Sequence, residues 1–74
     1  MWHRGYVNVE NETFYYEAKV YEGPSEYGIN GGPISKLYVK RNDIAVYEWD
    51  RGLVLEPVDN NTKAALEKIC KYYK

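Results

Sequence analysis

The sequence predicts an α+β fold: an antiparallel sheet of about four strands in β-β-β-β-α order, with one C-terminal amphipathic helix packed on one face. Two patterns carry this reading. Apolar and polar residues alternate with period two through much of residues 5–55, the repeat of strands that bury one side. From about residue 60 to 73 the apolar repeat changes to i, i+3, i+4, i+7, one stripe of a helix. Composition says how so small a fold is held. Leu, Ile, Val and Phe make up only about a fifth of the 74 residues, but there are nine tyrosines and two tryptophans. Each ring buries a large apolar area and keeps a polar tip in water.

The first two strands lie between Gly5 and Tyr21. Val7 and Val9 face one way, with Tyr6, Asn8 and Glu10 facing the other. Asn11-Glu12 supplies a polar break. Thr13 to Tyr21 then alternates again, Phe14, Tyr16, Ala18 and Val20 against Tyr15, Glu17, Lys19 and Tyr21, so the two segments read as a hairpin.

In residues 22–33, Gly23, Pro24, Gly28, Gly31, Gly32 and Pro33 exclude a regular element. Asn30-Gly31 tolerates positive φ and marks a turn, while Pro33 forces Gly32 out of the helical region. Tyr27 and Ile29 are the side chains expected to pack this long connection. Ile34 to Arg41 forms the third strand, Leu37 and Val39 opposed to Lys36, Tyr38 and Lys40. Asn42-Asp43 is a tight turn into a fourth strand, Ile44 to Trp49, which is apolar on both sides, so the pattern leaves open which side meets the core. After the turn Asp50-Arg51-Gly52, Leu53-Val54-Leu55 can add a short strand before Pro57 ends it.

In the helix the stripe is Leu66, Ile69, Cys70 and Tyr73, with Lys63, Glu67, Lys68 and Lys71 elsewhere on its surface. Asp59 or Asn61 caps its start, and Lys68, Lys71 and Lys74 suit the negative end of the macrodipole. The chain reads as a single domain over residues 1–74. One helix covers one face: Val7, Val9, Phe14, Tyr16, Ala18, Val20, Leu37 and Val39, plus one side of the fourth strand. The other face then carries Tyr6, Tyr15, Tyr21 and Tyr38 among Glu10, Glu17, Lys19, Lys36 and Lys40.

Several function classes are disfavoured by what the sequence lacks. Ten Lys+Arg against eleven Asp+Glu leave a net charge of −1, not the basic footprint of a nucleic-acid binder. One cysteine and one histidine supply neither an intramolecular disulfide nor a zinc-ligand set, so no metal or other cofactor is expected. No basic start runs into an apolar stretch as in a secretory signal, and no apolar run is long enough to span a bilayer; a cytoplasmic protein is expected, and the sequons Asn11-Glu12-Thr13 and Asn60-Asn61-Thr62 carry little weight.

The uncovered face is the leading candidate site. Tyr6, Tyr15, Tyr21 and Tyr38 can anchor a protein interface, self-association included, can stack on single-stranded nucleic acid, or can merely stiffen a wet sheet face by cross-strand pairing. A second candidate is the loop 23–33, where Tyr27, Gly28, Asn30, Gly31 and Gly32 could form an anion nest or a ligand surface, although the loop lacks the ending of a phosphate loop and enters no helix. The third is Asp50 and Arg51 beside Glu48. These groups could do acid–base work only with a pocket and a nucleophile, and none is visible, so a turn with a local ion pair is expected and no catalytic residue is assigned. His3 stands near the terminus without a nucleophile, and Cys70 on the helix stripe behaves as a small hydrophobe.

The succession Ala18-Lys19-Val20-Tyr21, Pro24-Ser25-Glu26-Tyr27-Gly28-Ile29 and Ile34-Ser35-Lys36-Leu37, followed by Trp49-Asp50-Arg51-Gly52, resembles a family of small uncharacterised proteins. That family, a domain of unknown function, is found in Gram-positive bacteria of the Firmicutes type and in their phages and mobile elements. The likeness runs from Trp2 to Gly52 and departs from the family pattern at Pro33, where an arginine is common, and at Leu53, where a tryptophan is common. It implies a bacterial or phage cytoplasm and no particular activity. The expectation is therefore a non-enzymatic protein-interaction module acting through the tyrosine face and loop 23–33, with a single-stranded nucleic-acid-binding module as the alternative.

Overall fold

The computed structural model describes residues 2–73. Five strands, β1 (Trp2–Val9), β2 (Glu12–Val20), β3 (Ile34–Arg41), β4 (Ile44–Asp50) and β5 (Leu53–Leu55), precede one helix, α1 (Asn60–Tyr72). The strands pair antiparallel in chain order β1-β2-β3-β4-β5, a plain meander. The class is α+β as expected, with five strands in place of about four, because Leu53–Leu55 does pair with β4.

Turns fix the register. Glu10 (φ 55°) leaves only Glu10 and Asn11 between Val9 and its partner Glu12, one residue earlier than the polar break suggests. Asn42 (φ 54°) and Asp43 (φ 62°) both take the left-handed conformation that a two-residue turn between twisted strands requires. β1 also begins earlier than expected, at Trp2. Gly5 is needed there: a Cβ on it would lie 2.8 Å from the hydroxyl of its cross-strand partner Tyr16, whose ring rests on this backbone.

The core comprises Val9, Phe14, Tyr16, Ala18, Ile34, Leu37, Val39, Tyr47, Ala65 and Ile69. β4 resolves through an irregularity. Val39 pairs with Tyr47 but Lys40 with Ala45, so Val46 is an extra residue that re-aims the strand and turns Tyr47 and Trp49 to the same side as Leu37 and Val39. The helix stripe is likewise rotated from expectation. Thr62, Ala65 and Ile69 are fully buried at its centre, and Leu66, Cys70 and Tyr73 pack at its flanks. Small residues at 62 and 65 let the helix sit close to β1 and β2. Burial pushes up the Cys70 thiol, as befits a packed side chain.

Asp59 is the cap: its carboxylate accepts the Thr62 amide at 3.3 Å. The same carboxylate takes the Arg41 guanidinium at 2.6 Å, and Arg41 also reaches Glu12 at 3.3 Å and lies over the Phe14 ring. Asn61 donates to Glu12 at 2.8 Å, so β2, β3 and the helix start meet in one polar cluster. The Arg41 hydrogen bond, then that from Thr62, holds the Asp59 carboxyl below its usual range. Of the cationic helix end, Lys71 lies in the last turn and Lys74 lies outside the described residues.

Candidate interaction surface

α1 packs on one side of the sheet and leaves the other without a second layer. In register, that open face holds three cross-strand rows: Trp2–Lys19–Lys36–Asp50, Arg4–Glu17–Tyr38–Glu48 and Tyr6–Tyr15–Lys40–Ala45. Tyr6, Tyr15 and Tyr38 therefore share one surface, as the alternation predicts. Tyr6 is 70% exposed and Trp2 48%, whereas Tyr15 and Tyr38 are half-buried. Trp2 stacks on Tyr38 with ring centroids 6.0 Å apart and planes 15° from parallel, and Tyr6 lies against Tyr15 at 5.3 Å.

Trp2 is the residue that sequence reasoning missed. Carrying the β1 alternation back from Tyr6 through Arg4 would have found it. Tyr21 falls just beyond the end of β2, with its amide bonded to the Pro33 carbonyl and Lys19 Nζ 5.8 Å from its ring centroid. Glu10 sits in the turn and not on the face.

The charges of the face are mostly engaged with one another. Tyr15 donates to the Glu17 carboxylate at 2.7 Å, and this bond is the main cause of the upward shift of the Tyr15 hydroxyl. Arg4 reaches Glu17 at 3.8 Å and Lys36 reaches Asp50 at 3.6 Å. Glu17 and Glu48 flank Tyr38 in its row, so the centre of the face is acidic and its cations lie around it. Beside them the small Ala45 leaves a depression of about 210 Å³ between Tyr15 and Tyr38, rimmed by Glu17, Lys40 and Glu48.

Loop 22–33 does not join this surface. It crosses the helix side of the sheet, where Trp49 Nε1 donates to the Tyr27 carbonyl at 3.0 Å and Ile29 packs on the core. Its glycines serve the loop itself. A Cβ on Gly28 would collide with the Gly32 carbonyl, and Gly31 has φ +71°. The amides of Ser25, Gly28, Gly31 and Gly32 donate to carbonyls within the loop, and that of Tyr27 to the Ser25 hydroxyl. Those amides are not aimed outward at an anion, so the nest reading has no support in the geometry. The turn at Asp50 and Arg51 also differs from expectation. In place of a local ion pair, Asp50 meets Lys36, and Arg51 sits 4.7 Å over the Tyr27 ring while its amide donates to the Ser35 carbonyl. Loop and turn, distant in sequence, thus form one packed latch, with Asn30 exposed at the loop surface. His3 belongs to β1, its ring 5.1 Å from that of Tyr73.

A family model described as Domain of unknown function (DUF7678) matches residues 1–74. The chain belongs to this family. Comparison with curated proteins and with solved structures finds no match for this DUF7678 chain. Among the described residues of this family member, no three His, Cys, Asp or Glu side chains gather as a metal site would need, and no helix is long and apolar enough to cross a membrane.

Proposed function

We propose that this DUF7678 protein is a small non-enzymatic interaction module that binds a protein partner through the open face of its sheet. The observation that carries this reading is the depression at Ala45, set between Tyr15 and Tyr38 on a face that also exposes Trp2, Tyr6 and Arg4. Tyrosine rings beside a recess can serve as interface anchors, where a few desolvated contacts carry most of the binding free energy. Cross-strand pairing alone accounts for rings that cover one another. It does not require a recess lined by them.

Charge placement separates this reading from single-stranded nucleic-acid binding. A base-stacking platform needs cations free to follow phosphates. Here Glu17 and Glu48 flank Tyr38, which sets negative charge where phosphates would run, and Lys36 is paired with Asp50 of the same face. The motif likeness supports a setting in a bacterial or phage cytoplasm. Affinity capture with wild-type protein, run beside anisotropy of a labelled single-stranded oligonucleotide at low salt, tests the proposal. A protein captured by wild type and lost with Tyr15→Ala and Tyr38→Ala supports it, whereas saturable, salt-sensitive oligonucleotide binding with no protein captured overturns it.

A further inference from the structure

We infer that the groove between the outer edge of β1 and the C-terminal half of α1 receives an extended peptide with alternating acidic and apolar side chains, added to the sheet as a sixth strand. β1 is an edge strand. The two-residue turn makes Val9 and Glu12 a hydrogen-bonded pair, and the β1–β2 register runs on without a slip. Alternation then turns the backbone N–H and C=O of Val7, Gly5 and His3 toward β2, and those of Asn8, Tyr6 and Arg4 outward. The Asn8 carbonyl attests this direction, since it accepts Lys68 Nζ of α1 at 2.6 Å. A lysine on a sheet edge blocks unwanted pairing. Lys68 caps the Asn8 end, and among the described residues no lysine caps the edges of Tyr6 and Arg4.

The helix supplies a wall beside this edge. Ile69, Tyr72 and Tyr73 face β1 across a groove of about 740 Å³. Among the described residues no acidic side chain lines the groove, whereas Arg4 and Lys68 do. A strand laid there directs alternate side chains to opposite sides of the sheet. One set meets the Tyr72 and Tyr73 rings, which suit apolar groups. The other set lies beside the Arg4 side chain, which is 74% exposed and only loosely held by Glu17. Acidic groups suit that side and the Lys68 end. Main-chain bonds to Arg4 and Tyr6 give affinity, and the alternate side chains give selectivity. A second copy of this chain fits less well, because pairing β1 with its two-fold mate brings Arg4 and Lys68 of both copies to one seam. β5, the opposite edge, offers only three residues.

The test is an amide chemical-shift titration of the full chain with a capped seven-residue peptide alternating glutamate and valine. The expected result is saturable shifts at the Arg4 and Tyr6 amides. Affinity should fall roughly tenfold when lysine replaces each glutamate or when the peptide is fully N-methylated, and by a smaller factor in Lys68→Glu. The peptide changes leave the protein untouched, so they decide the matter even if the variant does not fold. The inference is overturned by no shift up to ~1 mM peptide, by equal binding of the lysine or N-methylated peptide, or by shifts confined to Tyr15, Tyr38 and Glu48. Concentration-dependent shifts at Arg4 and Tyr6 without peptide also overturn it, in favour of a second copy.

Discussion

The indole Nε1 of Trp49 donates to the carbonyl of Tyr27 at 3.0 Å, and this bond fastens the long loop to the sheet. Arg51 holds the same residue, its guanidinium 4.7 Å from the centre of the Tyr27 ring. The glycine-rich segment loses much conformational entropy on ordering, and these contacts to β4 offset part of that cost.

Trp49→Phe keeps an aromatic ring and removes the donor. It is expected to cost roughly 0.5–1 kcal/mol in urea denaturation, the ordinary net worth of one hydrogen bond. Amide exchange should quicken at Gly28 and Gly31 and stay unchanged at Leu37 and Val39. Uniform quickening would mean that the loop and the sheet open together.

That latch was not legible in the sequence, and the reason is physical. Its main bond ends on a backbone carbonyl, which carries no residue signature, and its partners come from segments 22 residues apart. What period two governs was legible: Phe14, Ala18, Leu37 and Val39 bury as their alternation says, and Tyr6, Tyr15 and Tyr38 share the opposite face. The pattern failed where backbone geometry intervenes. The extra residue Val46 decides the face of β4, and the end of β2 at Val20 takes Tyr21 out of the row. The helix stripe shifted because Thr62 and Ala65, neither strongly apolar, are small enough to sit nearest the sheet.

Gly5 and Tyr16 form a second testable pair. Gly5→Ala pushes a methyl against the Tyr16 ring and hydroxyl, and should destabilise by about 1–3 kcal/mol, the usual cost of overpacking. Tyr16→Phe gives up the 2.8 Å hydrogen bond shared with the Tyr73 hydroxyl, about 1 kcal/mol. In a double-mutant cycle the combined loss should be smaller than the sum, because removing the hydroxyl clears the closest clash. Strict additivity would show that the two residues do not meet as described.

Acid should loosen the helix start first. The Asp59 carboxyl is held below its usual range by Arg41 and by the Thr62 amide. A carboxyl with a depressed folded-state pKa contributes stability above its unfolded value, about 3.9, and loses that contribution as pH falls through the folded value. Denaturation midpoints should therefore drop below about pH 4 in wild type. Asp59→Asn should be less stable at neutral pH and flatter across the acid range; equal slopes would remove Asp59 as the source.

Alkali acts through the buried phenols. Burial pushes the Tyr47 hydroxyl up to about 12, and burial with the Tyr16 bond pushes Tyr73 up as well. The unfolded chain releases these protons near pH ~10 while the folded chain keeps them. Stability is then fully present below about 10 and declines as pH rises through the folded values. Ultraviolet phenolate titration should show a late-ionising class that disappears on unfolding, and Tyr47→Phe should soften the alkaline decline.

The central claim is that the open face meets a protein partner and is not merely stiffened by its own rings. Partner capture by wild type and by the Tyr15→Ala, Tyr38→Ala double variant, each with its thermal melt recorded on the same preparation, tests this most directly. The double variant is expected to melt cooperatively still and to capture at least tenfold less partner. A folded variant that captures as much as wild type would contradict it.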